Sequence, residues 1–360
     1  TSVDTLLNTS RPNILIIIAE SFGGTFVGAM GNHDNITPNF DALTKEGVFF
    51  TDFYANSYRT DRGVLSILSG YPAFPKASVM KLPAASRNLP SIGLSLRRNG
   101  YVNNFLYGGD INFTNMQSYL RSTGYSNVIG DTKFTPAQRL THGWGVTDSI
   151  TFNYLYDMLR KSPVKPGSWQ TTFLTLASHE PWGVPYDRIK NDKRANAMAY
   201  LDDCMGRFIK QMKRTPQWKN LLVIILPDHG IAYPQGLTEA AIRRYHVPML
   251  WLGGAVKSPR RVDKLCNQSD LAATLLGQLG IKHDDFVFSR DVLSSTYRYP
   301  TAYHAFDNGI SFIDSTGATV YDLTSKRTLT DTPTPSPRRL DLGKAMLQKS
   351  YDNLSGLEKK

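Results

Sequence analysis

The sequence predicts an α/β fold in which a mostly parallel central sheet is flanked by helices. Residues 13–19 and 221–226 form nearly continuous apolar runs of Ile, Leu and Val. Such runs are typical of strands that are buried on both faces of a parallel sheet. Segments with helical periodicity lie between the apolar runs. Strands that alternate with helices favour parallel strands joined by crossover helices.

The other elements of the main domain follow from the same patterns. Further strands are predicted at residues 101–107, 171–177 and 247–252. Several predicted helices stop at a glycine, which commonly follows the last helical turn. The predicted helices cover residues 38–47, 63–70, 91–99, 148–161, 195–214 and 270–279.

The two ends of the chain differ from this pattern. Residues 1–10 are expected to be a linker from an upstream membrane anchor, and residues 11–290 the main domain. Residues 291–360 are expected to form a small α+β subdomain packed on it. Within this subdomain we predict strands at 299–306 and 317–323, an irregular Thr- and Pro-rich segment at 330–339, and a helix at 341–357.

The composition narrows the classes of function. The chain has 360 residues and a formal net charge of +11, which favours phosphate-bearing partners. Its Lys and Arg residues occur in dispersed pairs, so a nucleic-acid partner is not expected. Cys204 and Cys266 form neither a disulfide framework nor a CxxC site, and we expect two buried free thiols.

Candidate metal ligands follow two of the predicted strands. Glu20 follows the first apolar run, and Asp228 and His229 follow the run at 221–226. Ligands of open α/β sheets bind outside the carboxyl ends of the strands, where these residues can converge. Carboxylate and imidazole ligands suit Zn²⁺ or Mn²⁺. Acids and histidines are also common in polar loops, and one strand end alone would favour that alternative.

Several motifs together carry a resemblance to a known family. The stretch RPNILIIIAESF at residues 11–22 resembles the opening of the sulfatase-like branch of the alkaline phosphatase superfamily. It is most similar to the lipoteichoic acid synthase and phosphoglycerol (or phosphoethanolamine) transferase group. The resemblance spans about residues 11–290. It continues in order through residues 37–41, 47–55, 59–63, 69–72, 173–182, 227–230, 246–248 and 270–280.

The resemblance implies a catalytic metal centre. Glu20, Asp228 and His229 match the metal ligands of the family, and Thr60 matches its nucleophile and fourth ligand. One divalent metal is implied, Mn²⁺ by preference, with Zn²⁺ or Mg²⁺ as alternatives. Coordination to a cation stabilises an alkoxide, and a helix beginning near Thr60 would direct N–H groups at a phosphate. Without the motif, a helix N-cap is the commoner function of such a threonine.

The sequence around Thr60 favours phosphate over sulfate. Formylglycine sulfatases of this superfamily carry a Cys or Ser in a C/S-x-P-x-R signature. Here the residues are Thr60-Asp61-Arg62-Gly63, with neither a Cys nor the Pro. The aldehyde of those enzymes therefore has no precursor in this chain.

Four further residues are candidates for phosphate binding. His179 and His246 occupy contexts similar to those of histidines that contact phosphate or a second metal in the lipoteichoic acid synthase and phosphoethanolamine transferase groups. A hydrogen-bonded structural histidine is the alternative for both. Arg59 and Arg62 can hold phosphate oxygens in bidentate pairs.

The segment 106–116 departs from the family. Lipoteichoic acid synthases place a His, a Trp and an Arg where this chain has Tyr107, Thr114 and Met116. The usual contacts to glycerol phosphate are therefore missing. Asp110 and Asn115 stand nearby and are candidates for binding a different headgroup, although Asp110 equally fits a helix cap near residue 112.

Three aromatic residues are candidates for an apolar wall. Trp144, Trp182 and Tyr186 would pack against the lipid or sugar portion of a substrate, with burial in the core as the alternative.

The expected function is transfer of a phospholipid headgroup to a glycan or lipid acceptor through a phospho-threonine intermediate. A phosphodiesterase or phosphonate monoester hydrolase using the same site is the first alternative. A non-catalytic lipid- or glycan-binding module is the second. The expected partners are an anionic phospholipid or phosphorylated glycan and a membrane surface. The expected location is extracytoplasmic, either periplasmic or at the cell surface, within a membrane-anchored bacterial protein.

Overall fold

The computed structural model describes residues 2–360, which contain fourteen strands and ten α-helices. The strands are β1 Asn13–Ile18, β2 Val48–Phe50, β3 Phe53–Tyr54, β4 Val102–Tyr107, β5 Asn127–Ile129, β6 Trp169–Leu174, β7 Leu221–Leu226, β8 Met249–Leu252, β9 Arg260–Val262, β10 Cys266–Asn267, β11 Ala302–Phe306, β12 Gly309–Asp314, β13 Gly317–Asp322 and β14 Arg327–Thr332. The helices are α1 Pro38–Leu43, α2 Thr60–Ser69, α3 Pro83–Ser86, α4 Ile92–Arg98, α5 Met116–Ser122, α6 Pro136–Arg139, α7 Asp148–Arg160, α8 Lys193–Met212, α9 Leu271–Gln278 and α10 Pro337–Glu358.

The central sheet has eight strands in the order β5-β4-β6-β1-β7-β8-β2-β9. Neighbouring strands pair in parallel except β8, which runs antiparallel to both β7 and β2. In the centre, Ile18 pairs with Leu174 on one side and with Leu226 on the other. The carboxyl ends of β6, β1 and β7 are therefore level with one another. The residues that follow these strands meet at one edge of the sheet.

Helices cover both faces of the sheet. Ile14, Ile16 and Ile18 of β1 belong to one hydrophobic cluster with residues of α2, α4 and α9. Leu15 and Ile17 belong to the other cluster, with residues of α7 and α8. Successive side chains of a strand point to opposite faces, so an unbroken apolar run fills both layers. The predicted α/β fold with a mostly parallel sheet is confirmed.

The C-terminal residues form an antiparallel sheet in the order β11-β12-β13-β14. Met346 and Leu347 of α10 pack against this sheet. The segment 330–339, expected to be irregular, instead ends β14 and begins α10. Most residues of β14 are at least partly exposed, so no apolar alternation marks the strand. Pairing with β13 defines it instead.

Specific contacts fix this sheet to the main body. The Asn267 side chain accepts a hydrogen bond from the Tyr303 N–H at 2.7 Å and donates one to the Tyr303 carbonyl at 3.0 Å. The Ala305 N–H donates to the Asn56 carbonyl at 3.0 Å. Leu354 of α10 joins the hydrophobic cluster of the main body. The C-terminal sheet and helix are therefore packed firmly on the larger unit.

The N-terminal residues also contact the main body. Leu6 and Leu7 are buried, and the Asp4 N–H donates to the Leu293 carbonyl at 2.9 Å. Within residues 2–360, Cys204 and Cys266 are both buried and unpaired, as expected from the sequence. No helix in this part of the chain has an apolar stretch long enough to cross a lipid bilayer.

Gly63 allows α2 to approach the end of β7 closely. A Cβ atom at this position would lie 2.1 Å from the Asp228 carbonyl oxygen. Because the obstacle is backbone, we expect Gly63→Ala to destabilise the fold by about 3 kcal/mol. Gly356→Ala is the matched control, since Gly356 is helical with open space around it, and should raise stability by up to about 1 kcal/mol. Chemical denaturation measures the free energy of unfolding of both variants. An unchanged value for Gly63→Ala would contradict this packing.

Candidate active site

Three buried metal-ligand side chains converge at the carboxyl edge of the sheet. Glu20 lies two residues beyond β1, and Asp228 and His229 lie just beyond β7. One ligand atom from each of the three lies within 4.8 Å of the other two. The parallel register of β1 and β7 brings them together, although about 200 residues separate them in the chain.

Buried hydrogen bonds hold the Glu20 backbone in place. The Glu20 N–H donates to the Thr175 hydroxyl at 2.9 Å, and the Ser178 hydroxyl donates to the Glu20 carbonyl at 2.5 Å. Ser21 adopts a left-handed conformation with φ of 60°, uncommon for a residue other than glycine. That turn directs the Ser21 N–H at Asp228 Oδ1, 2.9 Å away. Sequence analysis gave none of these supporting residues a role, although all three lie within the family-like segments 11–22 and 173–182.

The geometry of Asp228 and His229 fits a divalent cation. Asp228 Oδ1 accepts from the N–H groups of Ser21 and His229, while within residues 2–360 its buried Oδ2 has no hydrogen-bond partner. His229 Nδ1–H donates to the Gly230 carbonyl at 2.9 Å, so Nε2 is the nitrogen that faces the cluster and would bind a cation once deprotonated. Nε2 lies 3.4 Å from both Glu20 Oε1 and Asp228 Oδ2. A free carboxylate oxygen facing an imidazole oriented through its other nitrogen is a common metal-site arrangement.

Thr60 borders the same cluster. Its Oγ1 lies 3.2 Å from each carboxylate oxygen of Glu20 and 3.4 Å from His229 Nε2. Thr60 is the first residue of α2, three residues before the predicted start of this helix, and Arg59 is the N-cap. Thr60 is therefore not the N-cap. The Arg59 side chain makes no capping bond, so the first N–H groups of α2 remain available to an anion.

The electrostatics of the cluster indicate a deficit of positive charge. Burial raises the pKa of Asp228 well above its ordinary value, and the Glu20 carboxylate raises it further. Burial alone would lower the pKa of His229, but the Asp228 and Glu20 carboxylates outweigh it and raise the pKa to about 9. Two carboxylates this close compete for protons, and a divalent cation would supply the missing charge.

A cavity of about 440 Å³ opens beside Thr60 and contains two of the predicted substrate-binding residues, Arg59 and His179. Thr114, from the segment that departs from the family, also lines it. Sequence analysis gave several other residues of the wall no role of their own, although Phe113 and Glu180 lie within segments that it discussed. These lining residues are Tyr58, Lys81, Phe113, Glu180, Glu239 and Arg244.

Four predicted substrate-binding residues do not line this cavity. His246 Nε2–H donates to the Thr51 carbonyl at 2.7 Å, and its ring stacks on Tyr54. The exposed Asp110 accepts from the Asn112 N–H at 2.9 Å within its own loop, and the N-cap of the following helical turn is Asn112, not Asp110. The other two are Asn115, which is exposed, and Arg62, which donates to the Phe74 carbonyl at 3.2 Å. No contact to the cavity supports a binding role for these four residues.

Aromatic rings form part of the cavity rim. The Trp144 ring lies 4.2 Å from the His179 ring and 5.4 Å from the Phe113 ring, measured between centroids. Trp182 lines the cavity itself. Tyr186 instead packs edge-on against Tyr200, outside the cavity lining. The structure therefore places two of the three predicted aromatic residues near the site.

The two candidate histidines should respond differently to substitution. His179 lines the cavity, so His179→Gln should lower kcat by about 100-fold, as expected for loss of a general acid. His246→Gln should leave kcat within about threefold and lower the melting temperature, because it removes a hydrogen bond within the fold. Steady-state kinetics and thermal melts of both variants test this difference. An equal loss of kcat in the two variants would contradict the assignment.

The raised pKa of His229 gives metal binding a defined pH dependence. The ordinary pKa is 6.5 and the folded value is about 9, so the metal-free fold gains stability from the imidazolium below pH 6.5. That gain is lost as pH rises through 9. A metal must displace this proton, so Mn²⁺ affinity should rise about tenfold per pH unit between pH 6.5 and 8.5. Calorimetric titration at three pH values measures the slope, and a flat profile would contradict the ligand assignment.

Fold and site together define an α/β protein with a buried cluster of two carboxylates and an imidazole beside a helix-terminal threonine. Residues 12–281 match the family model described as Sulfatase, and the chain belongs to this family. The resemblance stated from the sequence is thereby confirmed.

Relatives and solved structures extend this result. The chain is 23% identical over 305 residues to phosphoglycerol transferase I of Xanthomonas campestris pv. campestris, covering 79% of this chain and 43% of that protein. The chain thus spans less than half the length of this curated relative. A protein of the alkaline phosphatase superfamily from Vibrio parahaemolyticus superposes with a TM-score of 0.83 at 25% identity, covering 99% of this chain and 91% of the other. A lipoteichoic acid synthase from Listeria monocytogenes shares the fold, with a TM-score of 0.79 at 18% identity. The superposition covers 98% of this chain and 96% of the other.

Proposed function

We propose that this domain is a metal-dependent phosphotransferase that moves a phospholipid headgroup, of the phosphoglycerol or phosphoethanolamine kind, to a glycan or lipid acceptor. The observation that carries the proposal is the position of Thr60 Oγ1, which lies 3.2 Å from both Glu20 oxygens and at the N-terminus of α2. A hydroxyl so placed can be activated beside a cation, and its helix can stabilise a phosphate. The similarity to a phosphoglycerol transferase supports the same chemistry.

The reaction proceeds in two steps. A bound divalent cation, held by Glu20, Asp228 and His229, would lower the pKa of the Thr60 hydroxyl. The Thr60 hydroxyl loses its proton to solvent, and Oγ1 forms a bond to phosphorus. The bond from phosphorus to the diacylglycerol oxygen breaks, and His179 protonates that oxygen. An acceptor hydroxyl then attacks the phosphorus and gives its proton to His179, the bond from phosphorus to Thr60 Oγ1 breaks, and Oγ1 regains a proton from solvent. The N–H groups at the start of α2 stabilise negative charge on the phosphate oxygens in both steps.

The metal and the location of the proposed enzyme follow from its residues and its resemblance together. Two carboxylates and a hydroxyl with one imidazole tolerate Mn²⁺, Zn²⁺ or Mg²⁺, and the resemblance to lipoteichoic acid synthases makes Mn²⁺ our preference. With a phospholipid donor, the reaction takes place at a membrane surface. The net charge of +11 favours binding to anionic lipids. We propose an extracytoplasmic domain of a membrane-anchored bacterial protein.

Product analysis tests the proposal. The Mn²⁺-loaded protein is incubated with vesicles of phosphatidylglycerol carrying a labelled headgroup, with and without a soluble glucan. Transfer predicts diacylglycerol together with labelled glucan. Release of free glycerol phosphate at the same rate with or without glucan would identify a hydrolase. If neither phosphatidylglycerol nor phosphatidylethanolamine yields diacylglycerol and no metal binds, a non-catalytic binding module would replace the proposal.

A further inference from the structure

Three cationic side chains, Arg59, Lys81 and Arg244, line the cavity that holds Thr60. We propose that they form a second anion-binding subsite, which takes a phosphate or carboxylate group of the substrate other than the phosphodiester attacked by Thr60. The inference rests on the proposed function and narrows its substrate class. It predicts a donor headgroup or an acceptor that carries an additional negative charge.

A buried aromatic ring lies beside both arginines of the proposed subsite. Tyr58 is buried, and the Cζ atoms of Arg59 and Arg244 lie 5.2 Å and 5.9 Å from its ring centroid. Arg62 lies 5.7 Å from the same centroid but does not line the cavity. Stacking on an aromatic ring attracts a guanidinium while leaving its N–H groups free at the edges. Phe306 and Val320 of the C-terminal sheet pack in the same cluster as Tyr58. This wall of the cavity is therefore supported by the C-terminal subdomain.

The three cations lack anionic partners. Within residues 2–360, none of them lies within 4.0 Å of a carboxylate oxygen, although other arginines and lysines form salt bridges. In the same described range, Arg244 Nε is buried without a hydrogen-bond partner. A buried guanidinium N–H without a partner is costly, and like charges that line one cavity repel one another. A bound anion would accept a hydrogen bond from Arg244 Nε and reduce that repulsion.

Four acidic residues line the same cavity, and across residues 2–360 none forms a salt bridge with the three cations. Glu20 belongs to the metal-ligand cluster, and Asp61 accepts a hydrogen bond from the Ser78 hydroxyl. Glu180 and Glu239 line the cavity without pairing with Arg59, Lys81 or Arg244 in the described residues. The N–H groups of the three cations therefore remain available to a bound anion.

The backbone places this wall next to the metal cluster. A Cβ atom on Gly230, the residue after His229, would lie 2.2 Å from the Arg244 carbonyl oxygen. Arg59 directly precedes Thr60 and occupies the N-cap position of α2. Lys81 ends the short helical turn at residues 79–81, where Met80 Sδ accepts a hydrogen bond from the Thr114 hydroxyl. The three cations thus reach the cavity beside Thr60 from three separate segments.

The test uses two small probes on the Mn²⁺-loaded protein, with no free metal present. Calorimetry compares glycerol 1-phosphate with glycerol 1,3-bisphosphate. The bisphosphate should bind at least about tenfold more tightly, because its second phosphate forms charge-assisted hydrogen bonds with the subsite. The double variant R244Q/K81Q should abolish this difference and leave the affinity for glycerol 1-phosphate within about twofold. Arg243→Gln, which removes the same charge from an exposed neighbouring residue outside the cavity lining, is the matched control.

The outcomes separate this inference from the proposed function. Equal affinity of wild-type protein for the two probes, or equal losses in R243Q and R244Q/K81Q, would overturn the subsite while the function stands. If neither probe binds, the phosphate site at Thr60 fails and the inference fails with it. Circular dichroism checks the fold, and the exposed single variant K81Q should still lower the preference for the bisphosphate if R244Q/K81Q does not fold.

Discussion

Replacing Thr60 with alanine should lower kcat for diacylglycerol release by at least about 10³-fold, as expected for removal of a nucleophile. The Thr60 hydroxyl lies 3.2 Å from both Glu20 oxygens, and within this cluster it is the one candidate nucleophile at the start of a helix. Thr60→Ser keeps a hydroxyl on the same carbon and should retain activity within about 100-fold of wild type. Release of diacylglycerol from phosphatidylglycerol vesicles measures both variants.

The control for this prediction is structural. Thr60 is the first residue of α2 and not its N-cap, so alanine there should leave the melting temperature nearly unchanged. A folded Thr60→Ala variant that keeps a tenth or more of the wild-type rate would show that the hydroxyl is not the nucleophile.

Asp228→Asn should abolish metal binding and lower kcat by at least about 10³-fold without destabilising the metal-free protein. Asp228 Oδ1 accepts two backbone N–H bonds, which an amide oxygen can also accept. The substitution removes a buried carboxylate that repels Glu20. The metal-free variant should therefore melt at or above the temperature of the metal-free wild type. Elemental analysis and thermal melts with and without Mn²⁺ measure both effects.

Asp202→Asn is the matched control for Asp228→Asn. Asp202 is also a buried aspartate that accepts backbone N–H bonds, in this case from Asn39 and Phe40. It lies outside the metal cluster, so its variant should keep the rise in melting temperature that Mn²⁺ produces in the wild type. If D228N still gained stability from Mn²⁺ to the same extent as D202N, the assignment of Asp228 as a ligand would be wrong.

The central strands could be predicted because each is encoded by a short run of consecutive apolar residues. The apolar runs at residues 13–19 and 221–226 have no polar face, so they can only be strands covered on both sides. Glu20, Asp228 and His229 follow these strands, and parallel pairing of β1 with β7 brings them together. The apolar runs, their polar ends and the family resemblance together predicted that these three side chains converge.

The walls of the cavity could not be predicted, because they depend on loop geometry. After β4, Thr114 and Asn115 both adopt left-handed conformations, with φ of 55° and 67°. Consecutive residues in this unusual conformation send Thr114 to the cavity and leave Asn115 exposed. Lys81 and Arg244 reach the cavity from short turns whose positions are set by tertiary packing. No residue pattern in those turns distinguishes them from ordinary surface segments.

The most direct measurement of the central claim is mass spectrometry of the covalent intermediate. The Mn²⁺-loaded protein is mixed with phosphatidylglycerol vesicles, quenched in acid during turnover and digested. The account predicts a phosphoglycerol adduct on the peptide that contains Thr60, and its absence from the Thr60→Ala variant. An adduct on another residue, or turnover without any adduct on Thr60, would contradict the account.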